Sequence, residues 1–387
     1  MKLKLFLTFL TFATFALTCV FSTVSLVMGQ QGRQDVNNPE KHSVLIGVNY
    51  FAGWWRPLPN KWAPHGTDWR EKYPERLPLL GEYNEQETMD REIVVAADHG
   101  IDFFLMLWYF NGIDDAVEKE KHARFLNVGV TQFMQSPHSG RMQFAIEYCN
   151  HEPYQIKDQA DWDWAVKTWV EAMKHPSYLR VGGKPVFKVH SWHHYWFENG
   201  ENMERCVARM AQLRQAARDA GLGEILIGTG IGSYQTIKRP EDPVAMLFDF
   251  TATYMEVPPD LPPRDENYPY ETLAEFMRGS RKVHGEDAVP YLPYFGLNFN
   301  ARPWGDPRAK FEFPTKQELK QEFELMKADL ENPDLNLGLP LENGKQQKVF
   351  TIYAWNEFGE GGFLAPSQGE KSMKLEVLQD VFRSSGH

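Results

Sequence analysis

The chain has 387 residues, a formal net charge of −11 and 14% aromatic residues, enough length and apolar mass for one large domain and too much for a disordered chain. The acidic balance, with no Lys/Arg cluster to offset it, argues against nucleic acid or anionic membrane as the main partner and suits neutral, hydroxyl-rich ligands. Three cysteines are too few for a disulfide scaffold, and no CxxC pattern offers a zinc site.

Residues 1–29 carry two early lysines and a long apolar run, then Val27-Met28-Gly29 before Gln30, the pattern of an export signal. At roughly 20 residues the run is also long enough to stay behind as a membrane anchor. The expected location is therefore secreted or periplasmic, either released or anchored. Cys19 follows Thr18, a poor match to a lipoprotein signal. Residues 30–41 are expected to form a flexible lead-in and 42–387 a single domain. Cys149 and Cys206, which survive cleavage, are expected as buried small apolar residues.

From His42 onward, short β-branched and aromatic runs alternate with longer helical patterns, the signal for repeated βα units. The runs are SVLIGVNYF, IDFFLMLWYF, MQFAIEYCN, KPVFKVHSW, EILIGTG, FDFTATYMEV, AVPYLPYF and KVFTIYAWNEF. Most lack clean alternation, as strands buried on both faces do. Between the first two, Asn84 and Glu87 resemble a capping box, Met89, Ile93 and Ala97 form an apolar stripe, and Gly100 ends the helix. Similar stripes follow the third run (Trp162, Val166, Trp169, Met173) and the fourth (Met203, Val207, Met210, Leu213), and another precedes the eighth (Leu319, Phe323, Met326, Leu330). The link between the fifth and sixth runs gives only a broken helical signal. Together these predict an α/β fold, a single (β/α)8 TIM barrel with long βα loops.

In such a barrel, chemistry sits where the strands end. The residues there are Asn49, Tyr50, Trp108, Tyr109, Glu147, Tyr148, His190, Trp192, Tyr254, Glu256, Tyr294, Trp355, Asn356 and Glu357, with Glu360 just beyond. Trp54, Trp55, Trp62 and Trp69 of the first loop are placed to roof the same hollow. Aromatic planes among carboxylates and amides suit a carbohydrate: the rings support the C–H faces of a sugar and the polar groups pair its hydroxyls. Cleaving a glycosidic bond needs one carboxylic acid beside the leaving oxygen and one carboxylate assisting attack. Glu357 and Glu360 supply such a pair. Were their turn helical, the two side chains would share a face with Cβ atoms about 5–6 Å apart and would titrate together, one staying protonated near neutrality. The flanking glycines permit the tight path and leave room for a ligand.

At these residues the sequence resembles the glycoside hydrolase family 99-like barrels, a group that includes endo-α-mannosidases and WbsX-type proteins. NYFAGWW from Asn49, RLPLLGEYN, DHGIDFFLMLWYF, HPSYLRVGGKPVFKVH and AWNEFGEGGFLAPSQ are each similar to stretches of that group. The resemblance implies a retaining chemistry on an α-linkage, without a protein nucleophile. In it Glu357 deprotonates the sugar 2-hydroxyl and Glu360 is acid, then base. From their places at the strand ends and in the first loop, substrate contacts are expected from Asn49, Tyr50, Trp54, Trp55, Trp108, Tyr109, Glu147, His190, Trp192, Tyr254, Glu256, Tyr294, Trp355 and Asn356. The resemblance also implies an oligosaccharide or polysaccharide substrate, no cofactor and a monomer. The sequence departs from the group at Phe358, where Trp is usual, and at Gly359, where the mannosidases have His. FAIEYCNHEPY matches their third-strand motif only in part, with Glu147 rather than Glu152 placed as its acid.

Three other readings have a basis in the residues. His190, His193 and His194 in HSWHHYW raise a metal-dependent hydrolase, although they cluster on one loop and no HExxH exists. A glycan-binding barrel without turnover is the second. A glycosyltransferase is the third, without a DxD pair to support it.

Overall fold

The computed structural model describes residues 42–54, 61–64, 66–110, 126–262 and 264–384. The export or anchor segment, the lead-in and Trp55 lie outside the described residues. Among the described residues no helix is long and apolar enough to cross a membrane.

All eight apolar runs become strands of one parallel sheet. They are β1 (Leu45–Tyr50), β2 (Phe103–Trp108), β3 (Gln143–Tyr148), β4 (Lys184–Val189), β5 (Leu226–Gly230), β6 (Phe250–Ala252), β7 (Tyr291–Leu292) with β8 (Tyr294–Gly296), and β9 (Val349–Tyr353). The seventh run is split in two by Pro293, which has no amide to give to a ladder. β7 pairs with β6 through Thr251 and Tyr291, while β8 pairs with β9 through Tyr294 and Thr351. The Pro293 carbonyl bridges the gap by accepting from the Thr351 amide at 2.9 Å. β9 then meets β1 with Leu45 opposite Val349, and the ring is closed. The fold is a single (β/α)8 TIM barrel.

The runs lack alternation because both faces are covered: every residue of β1, β2 and β9 is buried. Parity still separates the two faces, since successive strand side chains point to opposite sides. Phe104, Trp108, Tyr148 and Phe187 meet rings of the helix layer, whereas Asn49, Glu147 and Lys188 meet one another inside. Inside, small residues sit beside large ones. A Cβ on Gly47 would lie 2.1 Å from the Phe103 ring, and one on Gly228 would lie 2.1 Å from the Phe250 ring. Gly228→Ala is expected to overpack this layer at a cost of about 1–3 kcal/mol, read as a lower urea midpoint with an unchanged slope.

The helices bury the expected stripes except at Val207, with Ala97 and Met203 half-buried. α1 (Gln86–Asp98), α2 (Val128–Gln135), α3 (Gln159–Met173), α4 (Trp192–Glu198), α5 (Met203–Asp219), α6 (Pro243–Leu247), α7 (Tyr270–Gly285), α8 (Lys316–Glu331) and α9 (Met373–Phe382) surround the sheet. The capping box expected from Asn84 and Glu87 does not form. Asn84 takes φ 66°, Glu85 is the N-cap, and no side chain caps the helix there. In α5, Val207 is 45% exposed, while Arg209 is buried and donates to the Ile156 carbonyl at 2.7 Å. The guanidinium outcompetes the valine for the interior because it satisfies a buried carbonyl. Only the short α6 occupies the fifth-to-sixth link, in keeping with its broken signal. Cys149 and Cys206 are free and buried.

Candidate active site

The closing segment is a hairpin, not the helical turn the E-x-x-E spacing suggested. β9 runs through a cis Tyr353–Ala354 peptide into β10 (Asn356–Glu357), which pairs antiparallel with β11 (Gly362–Phe363). The turn between them closes with the Glu360 amide donating to the Glu357 carbonyl at 3.2 Å. Three anchors fix this hairpin over the barrel mouth. The Asn356 side chain accepts from the Phe51 amide at 2.9 Å and donates to the Phe51 carbonyl at 2.7 Å. Arg76, 2% exposed, donates to the carbonyls of Asn300 and Phe358 at 2.9 and 3.1 Å. Trp355 turns outward, where its indole donates to Glu92 of α1 at 2.8 Å. The space that the glycines were expected to leave is occupied: a Cβ on Gly359 would lie 2.1 Å from the Trp304 indole, and one on Gly362 would lie 2.2 Å from the Tyr353 ring.

Glu357 and Glu360 come together at this turn, each bonded to one tyrosine. Tyr254 donates to Glu357 Oε1 at 3.1 Å, and Tyr353 donates to Glu360 Oε2. Glu357 is 5% exposed, and its Oε2 has no hydrogen-bond partner among the described residues. Burial, reinforced by the charge of Glu360, pushes its carboxyl up to about 8, against the opposing pull of Lys61 and the Tyr254 hydroxyl. Glu360 is raised too, chiefly by burial, while the Tyr353 hydroxyl and Arg308 draw it back. Arg308 stands 3.8 Å from Glu360 Oε1, but its guanidinium is committed to Asp306 at 2.7 Å. Glu360 therefore shares Arg308 with Asp306 through a long ion pair. Two neighbouring carboxyls of like charge, one buried and one largely so, titrate as a pair, and the mutual repulsion favours holding a proton between them.

Nearby lies an ionic cluster whose carboxylate and ammonium are buried. Glu147 accepts from Lys188 Nζ at 2.7 Å and from Asn49 Nδ2 at 3.1 Å, and its Oε1 is 2.6 Å from His190 Nδ1. Burial alone would raise the Glu147 carboxyl; Lys188 and His190 hold it at about 2 instead. The His190 ring meets the Tyr254 ring at 5.0 Å and the His151 ring at 5.9 Å, so the cluster is joined by ring contact to the tyrosine that bonds Glu357. Tyr109 closes this side, its ring 4.9 Å from Tyr154 and 5.9 Å from His151. Burial lowers the His151 imidazole to about 4, leaving it neutral at physiological pH.

The remaining expected contacts point elsewhere, for identifiable reasons. Tyr50 has the outward parity on β1 and donates to Glu92 at 2.8 Å. Trp108 faces the helix layer, 5.2 Å from Trp169. Trp192 opens α4 and packs on Trp196 and Phe248. Tyr294 is fully buried in a cluster with Tyr270, Leu273 and Met277 of α7. Trp355 and Asn356 anchor the hairpin, as above. Trp54, Trp62 and Trp69 are 1%, 2% and 5% exposed because they stack on each other and on Phe358, so they roof the mouth without offering an open face. Glu256 accepts from the Ser233 amide at 2.8 Å and braces the loop after β5.

Sequence reading missed Lys188, Tyr353, Lys61 and Arg308. Two of these carried a signal: Lys188 is a charged residue inside an apolar strand, and Tyr353 ends β9 on the opposite face from Ile352. Among the described residues no group of three His, Cys, Asp or Glu side chains is arranged to hold a metal ion. His190 directs Nδ1 to Glu147, and the His193 ring lies against Phe197 at 4.6 Å.

No family model and no curated protein matches the sequence. Solved structures match its backbone. A chain described as a glycoside hydrolase-like protein is 15% identical, with a TM-score of 0.58 over 88% of this chain and 94% of that one. A GH99 endo-alpha-mannosidase from Bacteroides thetaiotaomicron is 14% identical, with a TM-score of 0.54 over 88% of this chain and 98% of that one. Its complex with bis-tris propane gives 14% and 0.53, over 88% and 97%. At these identities the likeness is one of fold.

Proposed function

We propose that the protein is a glycoside hydrolase of the family 99-like kind, cleaving an α-linked glycan with retention through its Glu357/Glu360 pair. The observation that carries this reading is the pair itself: a buried Glu357 and a largely buried Glu360 at the barrel mouth, both raised, one with an oxygen left without a partner among the described residues. The fold shared with an endo-α-mannosidase and the resemblance of the closing segment support it.

The chemistry needs one proton on the pair, which is the state that coupled, buried carboxyls hold near neutrality. Before sugar binds the coupled pair holds that proton, with Glu357 accepting from Tyr254 and its Oε2 unbonded among the described residues. A sugar 2-hydroxyl donating to the bare Oε2 stabilises the Glu357 carboxylate, and the proton passes to Glu360 beside the leaving oxygen. Glu357 then takes the 2-hydroxyl proton as O2 attacks C1, while Glu360 protonates the glycosidic oxygen and the C1–O bond breaks. A 1,2-anhydro sugar remains. Water adds at C1, giving its proton to Glu360, and Glu357 returns its proton to O2. Two displacements at C1 leave the configuration retained, and the pair regains its single proton.

The expected pH profile of kcat/KM is a bell. At low pH both carboxyls are protonated and no base exists; above about 8 the pair loses its remaining proton and no acid exists. The test is incubation of the purified protein with α-mannans and bacterial exopolysaccharides, with proton NMR of the first-formed anomer. Release of the inverted anomer, or a rate still rising past pH 9, overturns the mechanism. Absence of cleavage across the panel with binding retained moves the reading to a glycan-binding barrel.

A further inference from the structure

Two cations stand beside the carboxyl pair: Lys61, without an acidic partner among the described residues, and Arg308, shared between Asp306 and Glu360 and still partly open to solvent. The Lys61 main chain is pinned by its carbonyl, which accepts from the Trp69 indole at 2.8 Å and the Trp304 indole at 3.1 Å. Its ammonium lies 4.5 Å from the Trp304 ring centre and 5.8 Å from that of Phe51. Trp304 in turn covers Gly359, between the two glutamates. The Lys61 ammonium makes no ion pair or hydrogen bond with any described residue, and its charge reaches Glu357, Glu360 and His151. On the far side Arg308, its side chain 46% exposed, sits over the Phe299 ring at 4.3 Å and 3.8 Å from Glu360.

Glycosidic cleavage builds positive charge on the sugar ring. A fixed ammonium and a guanidinium beside that ring oppose it, and both also pull down the carboxyl that must act as an acid. A substrate that brings its own negative charge removes both penalties and gains an ion pair. Resting on the hydrolase reading above, we infer that the glycan carries an anionic group, the carboxylate of a uronic acid or a sulfate ester, on a unit adjoining the scissile bond, held by Lys61 and Arg308. Lys61 supplies the free ammonium. Arg308 keeps one edge on Asp306 and presents the rest to solvent at the mouth.

The test uses the full chain carrying Glu360→Gln, so that binding is measured without turnover. Calorimetry compares a neutral α-manno-oligosaccharide with an oligouronate of equal length, and a sulfated oligosaccharide with its desulfated form. The anionic member of one pair is expected to bind at least tenfold more tightly, with an affinity that falls as salt rises. The pair that shows the preference tells carboxylate from sulfate. Adding Lys61→Met, which keeps the stem over Trp304, is expected to erase the preference and leave neutral affinity unchanged; Arg308→Gln, at an exposed site, weakens it in part. Equal affinity for charged and neutral partners, or a loss on Lys61→Met that is the same for both, overturns the inference. An anion preference in a protein that cleaves no glycan sinks the hydrolase reading and leaves this one standing. Cleavage of neutral glycans without any anion preference does the reverse.

Discussion

Glu357→Gln is expected to eliminate cleavage of natural glycans and of activated aryl glycosides alike, whereas Glu360→Gln is expected to lose the natural glycans but keep turnover of the aryl glycosides. A good leaving group departs without protonation, so it bypasses the missing acid; nothing bypasses the base that activates the 2-hydroxyl. The expected losses are about 10²–10⁴-fold for each group on natural substrate, read as kcat/KM with both substrate types. The reverse pattern exchanges the two roles. The same substitution also has an opposite effect on stability. Because Glu357 is raised to about 8 in the folded protein, its contribution is fully present below the unfolded carboxyl value and is lost as pH rises toward 8. Glu357→Gln removes that penalty. At pH 8 the variant should be more stable by on the order of 2–4 kcal/mol and melt higher by about 2 °C or more. The gain should vanish toward pH 4. A variant that melts at or below the wild type at pH 8 means that Glu357 is not a strained, desolvated acid.

Glu147→Gln is expected to be the most damaging single change outside the hairpin. It leaves the Lys188 ammonium, 2% exposed, without its counter-ion and takes the charged acceptor from His190. Breaking a buried pair by removing one partner costs about 3–5 kcal/mol, most of it the stranded charge. The paired change Glu147→Met with Lys188→Met removes both charges and should recover a large share of that loss, since the cost lies in the imbalance. Urea midpoints of the three variants measure this directly. The sign with pH is opposite to that of Glu357. Glu147 sits at about 2, so its stabilisation is present above the usual carboxylate value and disappears as pH falls from there toward 2. Wild type should therefore lose stability on acidification in a step that Glu147→Gln lacks. Equal stability of the single and double variants at pH 7 would place the energy of the cluster elsewhere.

The barrel was legible because its evidence is redundant. Apolar runs with helical stripes between them fix eight βα units, even where Pro293 cuts a strand in two, because the neighbouring strands supply the missing ladder partners. The helix start at Asn84 was misread because a left-handed residue there ends the option of a capping box. The site was legible in outline only. Adjacent residues such as Asn49 with Tyr50, or Glu147 with Tyr148, cannot both face the barrel axis, since strand side chains alternate. Counting parity back from a residue that must lie inside would have separated Asn49 from Tyr50 and flagged Lys188, two positions before His190. No such rule reaches Lys61 or Arg308. They lie on irregular loops, where the backbone path and not a period decides what faces the carboxyls.

The amide lock between Asn356 and Phe51 joins residues 305 positions apart. Residues preceding Lys348 already contain every stave but the last, yet they hold neither carboxyl of the pair, nor the tyrosine that bonds Glu360, nor the lock that sets them over the mouth. During synthesis the scaffold can thus begin to assemble before the proposed carboxyl pair exists, and the site is completed only by the segment that follows Lys348. Such a distant contact carries a large loop-closure cost and belongs late in folding.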